Sequence, residues 1–230
     1  MIPPLIVSNA LARGINLIAI TDHNSSANII AVQKAASGTK LTVLPGMELQ
    51  TKEEVHLLCL FDTLDQIDAF QSQVDLHMSD MMNNPEFFGE QFVVDETGGL
   101  ISRETRLLLS SSSLSLDEAF EKVTTLGGLA IPAHVDRAAF GLFANLGFIP
   151  PEIPFPALEI SNRISIADAI KKFPSIQPFP LIQSGDVHYL NDYLGANVMH
   201  LEKPVIMEIS LALQQKEGRA HTIVSLEKVF

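Results

Sequence analysis

The sequence predicts an α/β fold, a distorted barrel of the (β/α)7 type, and three observations predict it. Short apolar runs alternate with longer amphipathic stretches along the 230 residues, the pattern of strands joined through helices. Runs such as Leu17-Ile18-Ala19-Ile20 and Leu129-Ala130-Ile131 lack polar alternation, which reads as parallel strands buried on both faces. Five segments beside such runs carry metal-ligand residue types. They are Thr21-Asp22-His23-Asn24, Pro45-Gly46-Met47-Glu48, Glu54-Val55-His56, Pro132-Ala133-His134 and Ser184-Gly185-Asp186-Val187-His188. A barrel assembles its reactive groups at the C-terminal ends of successive strands, so these segments converge if the barrel forms.

Pro3 and Pro4 open a helix running through Arg13, and Gly14 is placed to end it. A strand follows over 15–20, then a polar loop with His23 and a helix over 26–37. Leu41 to Leu44 is a strand leading into Pro45-Gly46, Val55 to Phe61 is another, and Asp65 to His77 is helical. Residues 78–115 differ in character: Met-rich at first, then Gly98-Gly99, then the run Ser110-Ser111-Ser112-Ser113. They read as an inserted helical excursion with a hairpin within a single domain spanning 1–230, and the serine run carries no chemistry. Ser115 and Glu118 have capping-box spacing, so a helix starts there and ends at Gly127-Gly128. Strands over 128–132, 157–160, 180–183 and 205–209 complete the set, without an internal repeat.

Composition bounds the function. At 47% hydrophobic the chain buries a sizeable core. No apolar run approaches the roughly 20 residues that span a bilayer, and the N-terminus lacks the features of a signal peptide, which predicts a cytoplasmic protein. The lone Cys59 excludes an internal disulfide and reads as a small core residue. A net charge of −12 argues against broad affinity for nucleic acid or anionic membranes.

Each candidate ligand has a plain alternative. His23 either ligates or caps the next helix, and Asp22 either orients a ligand or caps; Asp22 is not counted as a ligand. Glu48 is a solvated loop carboxylate or a bridge between two metals, since one carboxylate offers two oxygens. His56 and His134 are satisfied core histidines or ligands. Asp186 and His188 lie two apart at a strand end and so share a face. His77, His200 and His221 fall in no motif. Arg137 and Arg163 either form surface ion pairs or bind a phosphate, and Asn162 would position substrate from the same strand end as Arg163. Mixed imidazole and carboxylate ligation suits Zn, Mn or Fe better than Ca.

Taken in order, the stretch Gly14 to Asn24, Pro-Gly-Met-Glu, Glu-Val-His-Leu-Leu, Ile-Pro-Ala-His-Val-Asp-Arg and Gly-Asp-Val-His resemble the PHP (polymerase and histidinol phosphatase) superfamily of metal-dependent phosphoesterases. The resemblance runs from about Pro3 to His188. It implies a PHP barrel whose metal ligands here are His23, Glu48, His56, His134, Asp186 and His188, with Glu48 bridging. It implies two or three divalent ions of Zn, Mn or Fe in a full-length member, and fewer in this chain. The implied activity is hydrolysis of a phosphate monoester on a small metabolite or nucleotide by metal-activated water, with Asp186 and Arg137 as catalytic groups. The family's first motif, a His-x-His on the first strand, has no counterpart here. The barrel is therefore expected to be incomplete at its first strand, leaving Glu48, His56 and His134 as a minimal three-ligand site. The competing readings are a non-catalytic metal-binding relative and a nuclease-type phosphodiesterase. The acidity of the chain and the lack of a basic groove studded with aromatics disfavour the nuclease.

Overall fold

A computed structural model describes residues 1–224. Its centre is a four-stranded sheet of β1 (Leu17–Ile20), β2 (Thr42–Gln50), β3 (His56–Leu60) and β6 (Leu129–Pro132), in the order β1-β2-β3-β6. β1 runs parallel to β2, with Leu17 opposite Thr42 and Ile20 opposite Pro45. β2 and β3 are antiparallel, as are β3 and β6, which corrects the expectation of parallel strands throughout. The linker between β2 and β3 is only Thr51–Val55, too short for the crossover that a parallel pair needs. A second sheet pairs β7 (Leu158–Ile160) with β8 (Leu181–Gln183) in parallel. A third joins β9 (Asn197–His200) and β10 (Ala220–Ile223) as an antiparallel pair.

Among the described residues these strands form no closed barrel, and the central sheet ends at β1, whose outer edge has no strand partner. This is the distorted, incomplete barrel that the sequence predicts. The expected strand at 205–209 is instead the start of helix α8 (Ile206–Leu213). Its apolar residues recur at helical spacing, with Ile206, Ile209 and Leu213 buried together against β6 and β8.

Local chemistry sets the helices. α1 (Pro3–Ala12) has proline at its first turn and is followed by Gly14 at φ 71°. The short α2 (Ile29–Ala35) follows the His23 loop. α3 (Leu64–Asp75) and α5 (Leu116–Thr125) each begin with a capping box, Thr63 with Gln66 and Ser115 with Glu118. Both bury one stripe, Ile67, Phe70 and Val74 on α3 and Leu116, Ala119 and Val123 on α5. The 78–115 segment holds α4 (Pro85–Phe88) and the hairpin β4 (Phe92–Val94) with β5 (Leu100–Arg103). Beyond β6 lie α6 (Leu142–Asn145) and α7 (Ile166–Lys172). No described helix is long and apolar enough to cross a membrane.

The period-two alternation of strands divides the sheet into two faces. Met47, Leu49, Leu57 and Cys59 point outward into the main core with Phe61 and Phe70. Leu44, Leu58, Leu60, Leu129 and Ile131 point inward, facing Ile182 of β8. Glu48, His56 and Glu159 fall on inward positions by the same parity. Together with the loops after β1 and β8, this inner face bounds a cavity of about 1290 Å³.

The outer core carries the stability. Phe70 is wholly buried beside Phe61, their rings 5.5 Å apart. Phe70→Ala is expected to lower the unfolding free energy by about 3–5 kcal/mol. Leu76→Ala, at a residue 77% exposed, should change it by less than about 0.5 kcal/mol. Urea denaturation of both variants checks the pair; equal effects would contradict this placement of the core.

Candidate metal centre

Backbone hydrogen bonds bring the predicted segments together one by one. The amide of Asn24 donates to the Glu48 carbonyl at 3.1 Å, and the Glu48 amide donates to the Asp22 carbonyl at 3.2 Å, which sets His23 beside Glu48. This approach needs Gly46: a Cβ there would lie 2.9 Å from Thr21 Cγ2 and 3.0 Å from the Ile20 carbonyl oxygen. The β2–β3 register places Gln50 opposite His56. The Ala133 amide donates to the His56 carbonyl at 2.9 Å, so His134 follows alongside, and the Val135 amide donates to the Glu159 carbonyl at 2.8 Å. Asn24 locks the 78–115 segment to the same point. Its Oδ1 accepts from the Gln50 amide, and its Nδ2 donates to the carbonyls of Leu108 and Ser110.

The side chains then meet. Glu48 Oε1 lies 3.2 Å from His56 Nδ1 and 3.3 Å from His134 Nε2, and those two nitrogens are 3.3 Å apart. The other carboxylate oxygen, Oε2, lies 3.4 Å from His23 Nδ1. Bonds of about 2.0–2.1 Å to a tetrahedral cation imply donor-to-donor edges of roughly 3.3–3.4 Å, and the triangle has that size. Hydrogen bonding alone leaves this group poorly satisfied. His23 Nδ1, His56 Nε2 and His134 Nδ1 are buried without a hydrogen-bond partner, an uncommon state for interior polar atoms. Ligand atoms of His23, Glu48 and His56 also lie within 4.8 Å of one another. Three imidazoles and a carboxylate that faces them with both oxygens fit a divalent transition metal.

Burial would raise the Glu48 carboxyl, but hydrogen bonds with His134 and His56 and the attraction of His56 and His23 outweigh it and hold the group well below its ordinary range. Burial lowers His23 and exceeds the opposing pull of Glu48. At His134 burial also acts downward, yet the hydrogen bond and charge of Glu48 carry the imidazole above its ordinary value.

Asp186 and His188 line the cavity, and Arg137 lies beside them through its pair with Asp186. The Arg137 guanidinium pairs with Asp186, and the Arg137 amide donates to the His134 carbonyl at 2.9 Å. Asp186 and His188 lie in the loop after β8, not on the strand itself, with Asp186 at φ 48°. His188 Nδ1 is 3.4 Å from Asp186 Oδ1, and the His188 ring is 6.1 Å from that of His23. Asn162 and Arg163 are exposed past the end of β7, away from the cavity lining. Asp22 accepts from the Asn28 side chain at 3.1 Å. His77 and His221 contact Gln73 and Asn197, outside the centre.

Glu159 is the member that sequence reasoning passed over. It is 2% exposed, lines the cavity and has a carboxylate oxygen, Oε2, with no partner. Its one available signal is a charge inside the apolar strand Ala157-Leu158-Glu159-Ile160. Four non-glycine residues around the centre also hold left-handed backbones: Asn24, His134, Phe140 and Asp186, at φ 52°, 29°, 58° and 48°.

No sequence family and no curated protein matches the chain, whereas solved structures do. The lesion-specific endonuclease PfuEndoQ from Pyrococcus furiosus superposes with a TM-score of 0.65 at 22% identity, over 96% of this chain and 53% of that one. An Endonuclease Q complex, with a 27-mer duplex carrying an abasic lesion at its active site, gives 0.63 at 21% identity over the same shares. A two-domain protein from Bacteroides vulgatus, described as containing a PHP-like metal-dependent phosphoesterase, gives 0.50 at 11% identity, over 96% and 60%. The chain thus spans about half the length of the endonuclease chains, and its fold is the PHP fold that the motifs predict.

Burial pushes the Glu159 carboxyl up from an ordinary 4.5 to about 7, with Glu48 and Asp186 adding to the rise and His134 opposing it. A carboxyl held higher in the folded than in the unfolded state stabilises fully below about pH 4.5, and this contribution fades as pH climbs to about 7. With chelator present, Glu159→Gln should therefore gain stability relative to the parent between pH 5 and pH 8. Urea midpoints measured at both pH values test this, and parallel pH profiles for the two proteins would refute it.

Proposed function

We propose that this chain is a metal-dependent phosphoesterase, built as one PHP domain with residues 78–115 inserted. The observation that carries the reading is the triangle of Glu48 Oε1, His56 Nδ1 and His134 Nε2, with edges of 3.2 to 3.3 Å. Glu48, His56 and His134 would hold one divalent ion. His23, with the second oxygen of Glu48 and with Asp186 and His188, would serve a neighbouring one. Zn, Mn or Fe bound there supplies Lewis acidity and brings the pKa of a water towards neutrality.

The chain's own residues do the positioning. Glu48 stays ionised and presents one oxygen to each side of the centre. Arg137 uses one guanidinium nitrogen on Asp186, which fixes the fork beside the cavity and leaves other donors for phosphate oxygens. Asp186 thereby orients the group that would neutralise charge on the reacting phosphate. Asn162 and Arg163 lie further out, where they would contact only a substrate larger than its phosphate group.

The net charge of −12 opposes a polyanionic partner more strongly than a small phosphorylated substrate. A second reading, a phosphodiesterase acting on nucleic acid, is favoured by the likeness to Endonuclease Q, whose complex places an abasic duplex at its active site. The two separate in one assay series on metal-loaded protein: an aryl phosphate monoester, a bis-aryl diester and a duplex bearing an abasic site. The first reading expects chelator-sensitive turnover of the monoester above the other two. Metal binding with no turnover of any of them would leave a non-catalytic metal-binding protein.

Glu48→Gln should lower bound metal by elemental analysis together with kcat. Arg137→Ala should keep the metal and lose about 2–4 kcal/mol of transition-state stabilisation in kcat/KM. Unchanged kcat/KM in Arg137→Ala would reduce Arg137 to a surface ion pair, and a parent protein without metal would end the metal reading.

A further inference from the structure

We propose that Phe140 is a positioning residue for the metal centre, its ring clamping the His56 imidazole in the orientation that aims Nδ1 at Glu48 and His134. The proposal rests on the metal reading of the same site. An imidazole ligand is ordinarily oriented by a hydrogen bond from its second ring nitrogen to a carboxylate, carbonyl or water. His56 has none: its Nε2 is buried with no partner. Phe140 occupies that role by a different means. The two rings are stacked 4.6 Å apart, with planes only 3° from parallel. A planar face on one side allows the imidazole to slide but blocks the rotation that would swing Nδ1 out of the triangle.

The placement of the Phe140 side chain is costly apart from this contact. The residue is 37% exposed, so it is poorly used as core, and φ 58° is a backbone conformation that a bulky side chain rarely adopts. Three ties hold it there. The His56 amide donates to the Phe140 carbonyl at 3.0 Å. The Asp136 carboxylate accepts from the Ser161 amide at 2.7 Å and from the Ser161 hydroxyl at 2.6 Å. Gly141 lets the turn close, because a Cβ there would lie 2.3 Å from the Arg137 carbonyl oxygen. One loop therefore sets both the cover on His56 and the guanidinium beside the cavity.

The alternative is a surface phenylalanine that merely shields apolar neighbours, for which Leu would do as well. Three variants of the full chain decide between them: Phe140→Tyr, which keeps the ring, Phe140→Leu, which keeps the bulk without the plane, and Phe140→Ala. Zinc affinity is read by competition against a chromophoric chelator, and the metal-free proteins are compared by urea unfolding and by imidazole NMR, with His56 assigned from His56→Asn. Phe140→Leu and Phe140→Ala should bind zinc 10–100-fold more weakly, with metal-free unfolding midpoints close to the parent. Phe140→Tyr should bind as the parent does. The His56 ring protons should show an upfield ring-current shift in the parent and in Phe140→Tyr, and lose it in Phe140→Leu. Parent-like zinc affinity in Phe140→Leu, or equal losses in Tyr and Leu, would overturn the proposal. If the parent itself binds no zinc, the metal reading falls on its own. The ring-current comparison in metal-free protein then still decides the clamp, and a His56 signal indifferent to Phe140→Leu would reject it.

Discussion

A carboxylate buried among imidazoles is the constraint on which the rest of the site depends. Taking Glu48 out of water costs several kcal/mol unless its oxygens are met, and water reaches only 6% of the residue. The surrounding fold meets that demand from three directions: the loop after β1 with His23, the start of β3 with His56, and the turn after β6 with His134. Each of these segments is fastened to its neighbour through main-chain hydrogen bonds, so the donors cannot retreat independently. Removing the charge would leave three half-satisfied imidazoles in the interior; removing one imidazole would leave a charge short of partners. The cluster is therefore fragile to single changes whether or not a cation is bound, and a cation of two positive charges relieves its electrostatic cost directly.

Much of this was legible in the sequence, and the reasons for the rest are physical. Glu48, His56 and His134 stand out because a charge or an imidazole beside a strongly apolar run demands an explanation. Strand direction was not legible from composition. Val55 to Phe61 is apolar enough to pass for a parallel strand, but the short link from Gln50 forces a hairpin, and loop length carried that information better than composition did. The segment 205–209 shows the ambiguity of short apolar runs, where Val205-Ile206-Met207 suits a strand until the later Ile209 and Leu213 reveal helical spacing. β9 and β10 escaped because Asn197-Val198-Met199-His200 and Ala220-His221-Thr222-Ile223 are short and mixed in polarity. Glu159 and Phe140 matter only through which groups they face, a property of the folded chain.

The 78–115 segment is less separate than its composition suggests. Asn24 hydrogen-bonds at once to β2 and to the backbone of Leu108 and Ser110, and Ser112 donates to the Gln50 carbonyl at 3.0 Å. The serine run thus lies as a strap across the end of β2, at Gln50, two residues along the strand from Glu48. Its small side chains suit that position, since bulk there would press on the strand that carries the carboxylate.

The four left-handed residues around the centre bear on how the protein would respond to selection. At each of them glycine would relax the backbone, since φ between 29° and 58° is strained for a side chain and free for glycine. At three of them that relief is set against lost bonds: Asn24 holds Gln50, Leu108 and Ser110, His134 meets Glu48 and Asp186 pairs with Arg137. Phe140 alone of the four offers its side chain to no hydrogen bond or ion pair, so a search for thermal resistance alone would be drawn towards glycine there. Robustness and the cover on His56 compete at that one position.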